Sequence, residues 1–138
     1  MLGSYDFPAK LVVLCDPDVL AQRVNDLDLK LALRTIDNQL DIKKHKKGSL
    51  QILPIQINFP VETGILDPQN APYVIRQLET AVELCGNNKT AALVTAPIQK
   101  SMIIEAGIPF TGHTEWLAQK TNSMRPVMML VSESLRVA

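Results

Sequence analysis

The stretch DPQNAPYVIRQLETAVELCGNNKTAALVTAP, residues 67–97, decides the fold class. Its first part predicts an amphipathic helix, because apolar side chains recur at helical spacing and Gly86 and Asn87 supply a stop signal. The apolar face consists of Val74, Ile75, Leu78, Ala81, Val82 and Cys85. Residues 89–97 form a continuous apolar run, which is typical of a strand covered on both faces. A helix followed by a buried strand indicates an α/β protein.

The segments before this stretch repeat the alternation of strand and helix. Residues 10–16 predict a buried strand, and an aspartate and a proline directly after it predict the start of a helix. Residues 29–36 and 50–57 predict two more strands. Within the second of these, Pro54 indicates an edge strand or a bulge, because proline cannot donate to a sheet ladder.

The segments after it continue the same pattern. A short helix is expected from Pro97 to its stop at Gly107, and a second helix from His113 onward. Residues 125–133 predict a buried strand, and residues 134–138 begin another. We therefore expect residues 1–138 to form a single partial α/β domain, with a mostly parallel sheet and helices on both faces.

Composition excludes several classes of protein. The chain has 138 residues, of which 46% are hydrophobic, and 14 basic side chains balance 14 acidic ones. This balance argues against a nucleic-acid-binding protein and against disorder. No apolar run is long enough for a membrane helix, and the N-terminus lacks the pattern of a signal peptide. Cys15 and Cys85, with no C-x-x-C spacing, are expected to be buried thiols in a reducing cytoplasm.

The segment VTAPIQK, residues 94–100, is the first candidate site. Ligands of open α/β sheets bind beyond the carboxyl ends of the strands, where the start of a helix favours an anion. Thr95 and Lys100 are the side chains placed to contact such an anion. The alternative is an ordinary strand–helix turn, with Thr95 as a local cap and Lys100 in solvent.

The segment FTGHTEWL, residues 110–117, is the second candidate site. Thr111 or Gly112 is placed to cap the helix, and Glu115 resembles the acid of a capping box. His113 and Thr114 would then share the first turn and direct side chains and N–H groups to one spot, which suits a phosphate or a hydroxyl group. The alternative is a helix cap with His113 partly exposed.

No metal site is predicted within the chain. Metal ions need several converging ligands, and the chain has two histidines. His45 lies in KKHKK, residues 43–47, where four lysines repel a cation, so we expect a solvated loop residue. His113 has Glu115 nearby in sequence, but residues two apart do not share a helix face.

The two candidate sites stand in a longer pattern, AALVTAPIQKSMIIEAGIPFTGHTEWLAQKT followed by VMMLVSESLRVA. This pattern resembles the 4-hydroxythreonine-4-phosphate dehydrogenases of vitamin B6 biosynthesis. The block AGIPFTGHTE, residues 106–115, is the most specific part, and T-A-P-I-x-K, residues 95–100, is the second. Gln99 departs from the pattern, because family members often carry histidine or asparagine there.

The resemblance implies an α/β enzyme related in fold to isocitrate and isopropylmalate dehydrogenases, active as a homodimer. It implies oxidation of 4-phosphohydroxy-L-threonine with NAD(P), followed by decarboxylation to 3-amino-2-oxopropyl phosphate. It also implies a divalent metal (Zn, Mg or Co) held by three histidines, which are expected outside these residues. The His-Thr pair of the GHTE motif contacts the substrate in the family, which assigns substrate binding to His113 and Thr114.

The resemblance also implies a chain more than twice as long. We therefore expect an internal piece from the N-terminal part of the enzyme, which is inactive as a dehydrogenase by itself and prone to associate through unpaired sheet edges. Two alternatives stay open: a related dehydrogenase acting on 4-phospho-threonate, and a non-catalytic remnant that keeps only the anion pocket.

Overall fold

The computed structural model describes residues 5–38 and 41–138. In chain order the strands are β1 (Val13–Cys15), β2 (Ala32–Thr35), β3 (Ser49–Pro54), β4 (Leu130–Val131) and β5 (Arg136–Val137). The helices are α1 (Pro17–Asp26), α2 (Ala71–Gly86), α3 (Lys100–Glu105) and α4 (His113–Lys120), with a 3-10 turn (Pro68–Asn70) before α2. The predicted α/β class is confirmed. None of the helices in the described ranges is long and apolar enough to cross a lipid bilayer.

The main sheet has three parallel strands in the order β1-β3-β2. Ile52 lies at its centre, paired with Val13 on one side and Thr35 on the other, and its side chain is fully buried. The predicted edge position of Pro54 is therefore wrong, because β3 is the central strand. Ile55 donates its N–H to the Cys15 carbonyl on the β1 side, so the backbone nitrogen of Pro54 faces the β2 side. Because β2 has already ended at Thr35, no N–H donor is needed from residue 54.

The helices α2, α3 and α4 share an apolar core. Its buried members are Ala71, Leu78, Ile103, Phe110 and Trp116. Ile103 is 2% exposed, and Trp116 is 6% exposed. Gly107 has a φ of 79°, which glycine adopts without strain, and α3 ends just before it at Glu105, so the predicted stop is confirmed. This packing fixes the beginning of α4 relative to α3.

The predicted strand at residues 89–97 is wrong. Residues 92–99 have no regular structure, and Val94 is 92% exposed. A strand that is apolar on both faces needs hydrogen-bonded neighbours and covering layers, and the described residues supply neither at this place. The apolar composition of this segment indicates that it would be stable in a buried environment, but it does not determine which strands pair with it.

The predicted buried strand at residues 125–133 is also wrong in extent and burial. Only β4 forms there, and it pairs antiparallel with β5 over two residues. Both strands are exposed, as are Met128 and Met129 before them. A hairpin of two such short strands has no second layer to cover its apolar side chains, so these side chains stay exposed to solvent.

His45 was expected in solvent but is 4% exposed. The N-terminal segment covers it: its Nε2 lies 3.0 Å from the Tyr5 carbonyl oxygen, and its ring contacts that of Phe7. Its backbone N–H donates to the Ala9 carbonyl at 3.0 Å. The local KKHKK sequence indicates solvent, but the imidazole is buried while the two lysines on each side of it stay exposed.

Candidate functional site

The helix α4 begins where the sequence predicts, but among the described residues Glu115 makes no hydrogen bond to the Gly112 N–H, so the capping-box role expected of Glu115 is wrong. Gly112 is the N-cap, and Trp116 donates its N–H to the Gly112 carbonyl at 3.1 Å. Thr111, the other candidate, is exposed and does not cap the helix. The N–H groups of the first turn have no carbonyl partner within the helix, and together with the helix dipole they favour a negatively charged group.

His113 is half-buried in the first turn of α4. Its ring meets the Phe110 ring edge to face, with centroids 6.0 Å apart and an interplanar angle of 83°. The Nε2 atom is buried and has no hydrogen-bond partner among the described residues. A buried polar atom without a partner costs about 1–3 kcal/mol, so this nitrogen is suited to a hydrogen bond from outside the chain. Thr114, next to it, is also half-buried.

Lys100 is brought to the beginning of α4 by the packing of α3. It is the first residue of α3, and its Nζ lies 3.4 Å from the position that a Cβ on Gly112 would occupy. The Glu115 carboxylate reaches the same place, with Oε2 at 3.0 Å from that position. The structure therefore brings Lys100 and Glu115 to the same place over Gly112, the residue that precedes His113 and Thr114 in the chain.

Thr95 does not have the helix-capping position that the sequence suggests. The helix was expected to begin at Pro97, but α3 begins at Lys100 with Gln99 as its N-cap, so Thr95 caps nothing. Thr95 is exposed, and its side chain makes no hydrogen bond to the described residues. Without the strand predicted before it, the segment lacks the ladder that would hold Thr95 at a helix start. A role for Thr95 in anion binding stays a prediction.

The described residues do not fit a metal ion. In residues 5–38 and 41–138, no three His, Cys, Asp or Glu side chains converge as ligands. The Nε2 of His45 lies against the Tyr5 carbonyl. We therefore derive no chemical step through a metal held by these side chains.

The sequence did not reveal the polar network around Asp16, directly after β1. Oδ1 accepts from the N–H groups of Asp18 and Val19, and Oδ2 accepts from that of Ile57 at 3.0 Å. The Asp16 N–H in turn donates to the Tyr73 hydroxyl at 2.7 Å. The Asp-Pro pair predicted only the helix cap. Each of these polar atoms has a partner within the chain, which indicates a structural role rather than a binding role.

Burial and hydrogen bonding act in opposite directions on the Asp16 carboxyl. Burial raises its pKa, but the N–H donors of Ile57, Val19 and Asp18 together lower it by more, so the pKa lies below its ordinary value. The neighbouring Cys15 is half-buried, and burial followed by the Asp16 charge raises the pKa of its thiol to about 11.

Comparison with known proteins identifies the family of this chain. The family model "Pyridoxal phosphate biosynthetic protein PdxA" matches residues 7–138. The chain is 43% identical over 137 residues to the 4-hydroxythreonine-4-phosphate dehydrogenase of Serratia proteamaculans, covering 99% of this chain and 42% of that protein. It is 45% identical over 130 residues to the enzyme of the same name from Wigglesworthia glossinidia brevipalpis, covering 94% of this chain and 39% of that one.

A solved structure is similar as well. The crystal structure of 4-hydroxythreonine-4-phosphate dehydrogenase from Klebsiella pneumoniae superposes with a TM-score of 0.83 at 25% identity, over 91% of this chain and 39% of that one. The chain thus spans about two-fifths of the length of the curated relatives it matches. Since the family model covers nearly every residue, this chain belongs to the PdxA family.

Proposed function

We propose that this chain supplies the substrate-binding wall of an NAD(P)-dependent 4-hydroxythreonine-4-phosphate dehydrogenase in the synthesis of pyridoxal phosphate. The relatives that carry this name match nearly the whole chain. The observation that carries the proposal is the Nε2 of His113, buried at the beginning of α4 with no partner in residues 5–38 and 41–138, while the Lys100 ammonium approaches the preceding residue, Gly112. A group so placed is suited to a polar, anionic small molecule.

In this proposal each side chain has a distinct part in holding the substrate. His113 offers a hydrogen bond through Nε2, and Thr114 offers a hydroxyl group that both donates and accepts. Lys100 adds a positive charge, which binds a phosphate or carboxylate as a point charge. The free N–H groups of the first turn of α4 add to the same field. The chain's contribution is thus to orient the substrate, which lowers the entropic cost of bringing it to the reacting groups.

The chemistry proposed for the whole enzyme is oxidation of the substrate hydroxyl by hydride transfer to NAD(P), followed by loss of carbon dioxide from the resulting keto acid. The nicotinamide supplies the hydride acceptor when it is bound. We assign no residue of this chain to the cofactor, to a metal ion or to proton transfer. We also propose a homodimer for the whole enzyme, on the family resemblance alone.

Calorimetric titration of the chain with 4-phosphohydroxy-L-threonine tests this proposal. We expect saturable binding that weakens about tenfold or more in His113→Ala and in Lys100→Gln, the scale of a lost charge-assisted hydrogen bond. Because Nε2 has no hydrogen bond within the described residues, His113→Ala removes no internal hydrogen bond at that atom.

Lys89→Gln is the matched control, because Lys89 is exposed after the end of α2. It should bind as the unaltered chain does. Equal affinity in the His113→Ala variant and the unaltered chain would contradict the proposed site, and an absence of binding by the unaltered chain would contradict the proposed function.

A further inference from the structure

The imidazole of His113 has no hydrogen bond to keep it in one orientation. In residues 5–38 and 41–138 it forms no hydrogen bond and no ion pair, and its Nε2 atom is buried without a partner. A histidine side chain turns about two bonds, so a ring without a directional contact samples several rotamers, and ordering it on ligand binding costs entropy. A nitrogen that meets a ligand in a fixed direction therefore needs another contact to hold the ring.

Phe110 supplies that contact. The centroids of its ring and of the imidazole lie 6.0 Å apart, and the two ring planes meet at 83°. Aromatic rings favour this edge-to-face arrangement, because the positive edge of one ring meets the negative face of the other. Since the interaction depends on the angle between the planes, it restrains the orientation of the imidazole as well as its position.

The Phe110 ring is itself fixed by the apolar core shared by α2, α3 and α4, and it is 4% exposed. The other buried members of this core come from all three helices and are Ala71, Leu78, Ile103 and Trp116. Thr111, the next residue along the chain, is exposed, so it is the Phe110 side chain that faces the core. Because protein interiors are close-packed, the Phe110 ring cannot move away from His113 without disturbing its neighbours.

An ordinary core position accounts for the burial of Phe110 but not for its contact with the imidazole. A leucine or a methionine would fill much of the same volume and bury a comparable apolar area. Neither has a planar ring with a positive edge and a negative face, so neither would orient an imidazole through the angle between two planes.

We propose that Phe110 is a positioning residue, whose ring holds the imidazole of His113 in the orientation in which Nε2 meets the ligand. This role requires no contact between Phe110 and the ligand. Phe110 transmits the rigidity of the core to the binding group, so less side-chain freedom is lost when the ligand binds. The inference rests on the proposed function and deepens it, because it adds a residue that acts through His113.

The first test measures the rotamer of His113 in the chain without ligand. Three-bond NMR couplings across its Cα–Cβ bond report whether the side chain occupies one rotamer. We expect one rotamer in the unaltered chain and an average over several in Phe110→Leu, which keeps an apolar side chain in the core. Leu78→Ala is the matched control, because it removes apolar volume from the same core but leaves the ring beside His113, so it should retain the one rotamer.

The second test measures the consequence for binding by calorimetric titration with 4-phosphohydroxy-L-threonine. We expect Phe110→Leu to bind about two- to tenfold more weakly, which is the scale of an aromatic pair, and Leu78→Ala to bind as the unaltered chain does. In a His113→Ala background, Phe110→Leu should cause no further loss of affinity, because the ring that Phe110 positions is gone. A purely structural role for Phe110 would weaken binding in both backgrounds.

Each of four results would overturn the inference: several rotamers of His113 in the unaltered chain, one rotamer retained in Phe110→Leu, unchanged affinity in Phe110→Leu, or a loss of affinity that persists without His113. The two rotamer results are obtained without ligand, so they overturn the inference and leave the proposed function standing. An unaltered chain that binds no ligand would overturn the proposed function, and with it the role of Phe110 in binding.

Discussion

Asp16→Ala should destabilise the chain far more than an ordinary aspartate substitution. The Asp16 side chain closes the junction between the end of β1, the beginning of α1 and the segment after β3, and it is 7% exposed. Its two oxygens accept from the N–H groups of Val19 and Ile57, as well as from Asp18. Alanine removes both acceptor oxygens and so all three hydrogen bonds, and it leaves the three N–H donors in place.

The magnitude follows from two separate losses. Losing a helix N-cap costs about 1 kcal/mol. Leaving the partly buried N–H of Ile57 without an acceptor costs about 1–3 kcal/mol more. The free energy of unfolding should therefore fall by about 2–4 kcal/mol in Asp16→Ala. Asp26→Ala is the control, because among residues 5–38 and 41–138 the Asp26 side chain forms an exposed ion pair with Arg23, whose loss should cost less than about 1 kcal/mol.

Urea denaturation followed by circular dichroism measures the free energy of unfolding of both variants, and its dependence on pH provides a second test. The pKa of Asp16 is lowered in the folded chain, so its stabilising effect is complete above the unfolded value of about 3.9 and is lost as the pH falls through the folded value. The difference between the unaltered chain and Asp16→Ala should therefore shrink on acidification. A cost below about 0.5 kcal/mol at pH 7, or a difference that grows in acid, would refute the reasoning.

Three further predictions concern the site and its support. Ile103→Ala should lower the free energy of unfolding by about 2–5 kcal/mol in urea denaturation, because Ile103 is 2% exposed in the core that joins the three helices. A decrease below about 0.5 kcal/mol, which is the scale expected of an exposed side chain, would contradict that packing. Gly112→Ala should change stability by no more than about 0.5 kcal/mol yet weaken ligand binding in calorimetry, because the new methyl displaces only the flexible ends of Lys100 and Glu115; unchanged affinity would count against the close approach. The Cys15 thiol, with its pKa of about 11, should react with a disulfide reagent at pH 8 more slowly than a free cysteine peptide, and an equal rate would show that the thiol is not held in its protonated form.

The helices were the most predictable part of the fold. The apolar positions of α2 recur on one face, and a proline and a glycine stand near its two ends, so the signal is local and needs no neighbour. The beginning of α4 at Gly112 and His113 was equally visible, because capping depends on residues within one turn. The convergence of Lys100 with Glu115 was not visible, since it depends on how α3 packs against α4.

The strands were harder to predict from the sequence than the helices. Residues 92–99 and 125–129 have the composition of buried strands, but a strand exists only when a neighbour accepts its hydrogen bonds and a layer covers its side chains. The central position of Pro54 in the sheet was mispredicted for the same reason, because strand pairing and not the residue type decides which strand lies at the edge. His45 was misplaced for a similar reason: its cover is the distant residue Tyr5.

By itself, then, the sequence determined the α/β class, the helices, the turn at the beginning of α4 and the family to which the chain belongs, because each depends on residues close together in the chain. Only the tertiary structure decided that Ile52 lies at the centre of the sheet, that Asp16 joins three segments, and that Lys100 and Glu115 meet over Gly112. These are contacts between residues distant in sequence, and their formation depends on packing that no local pattern records.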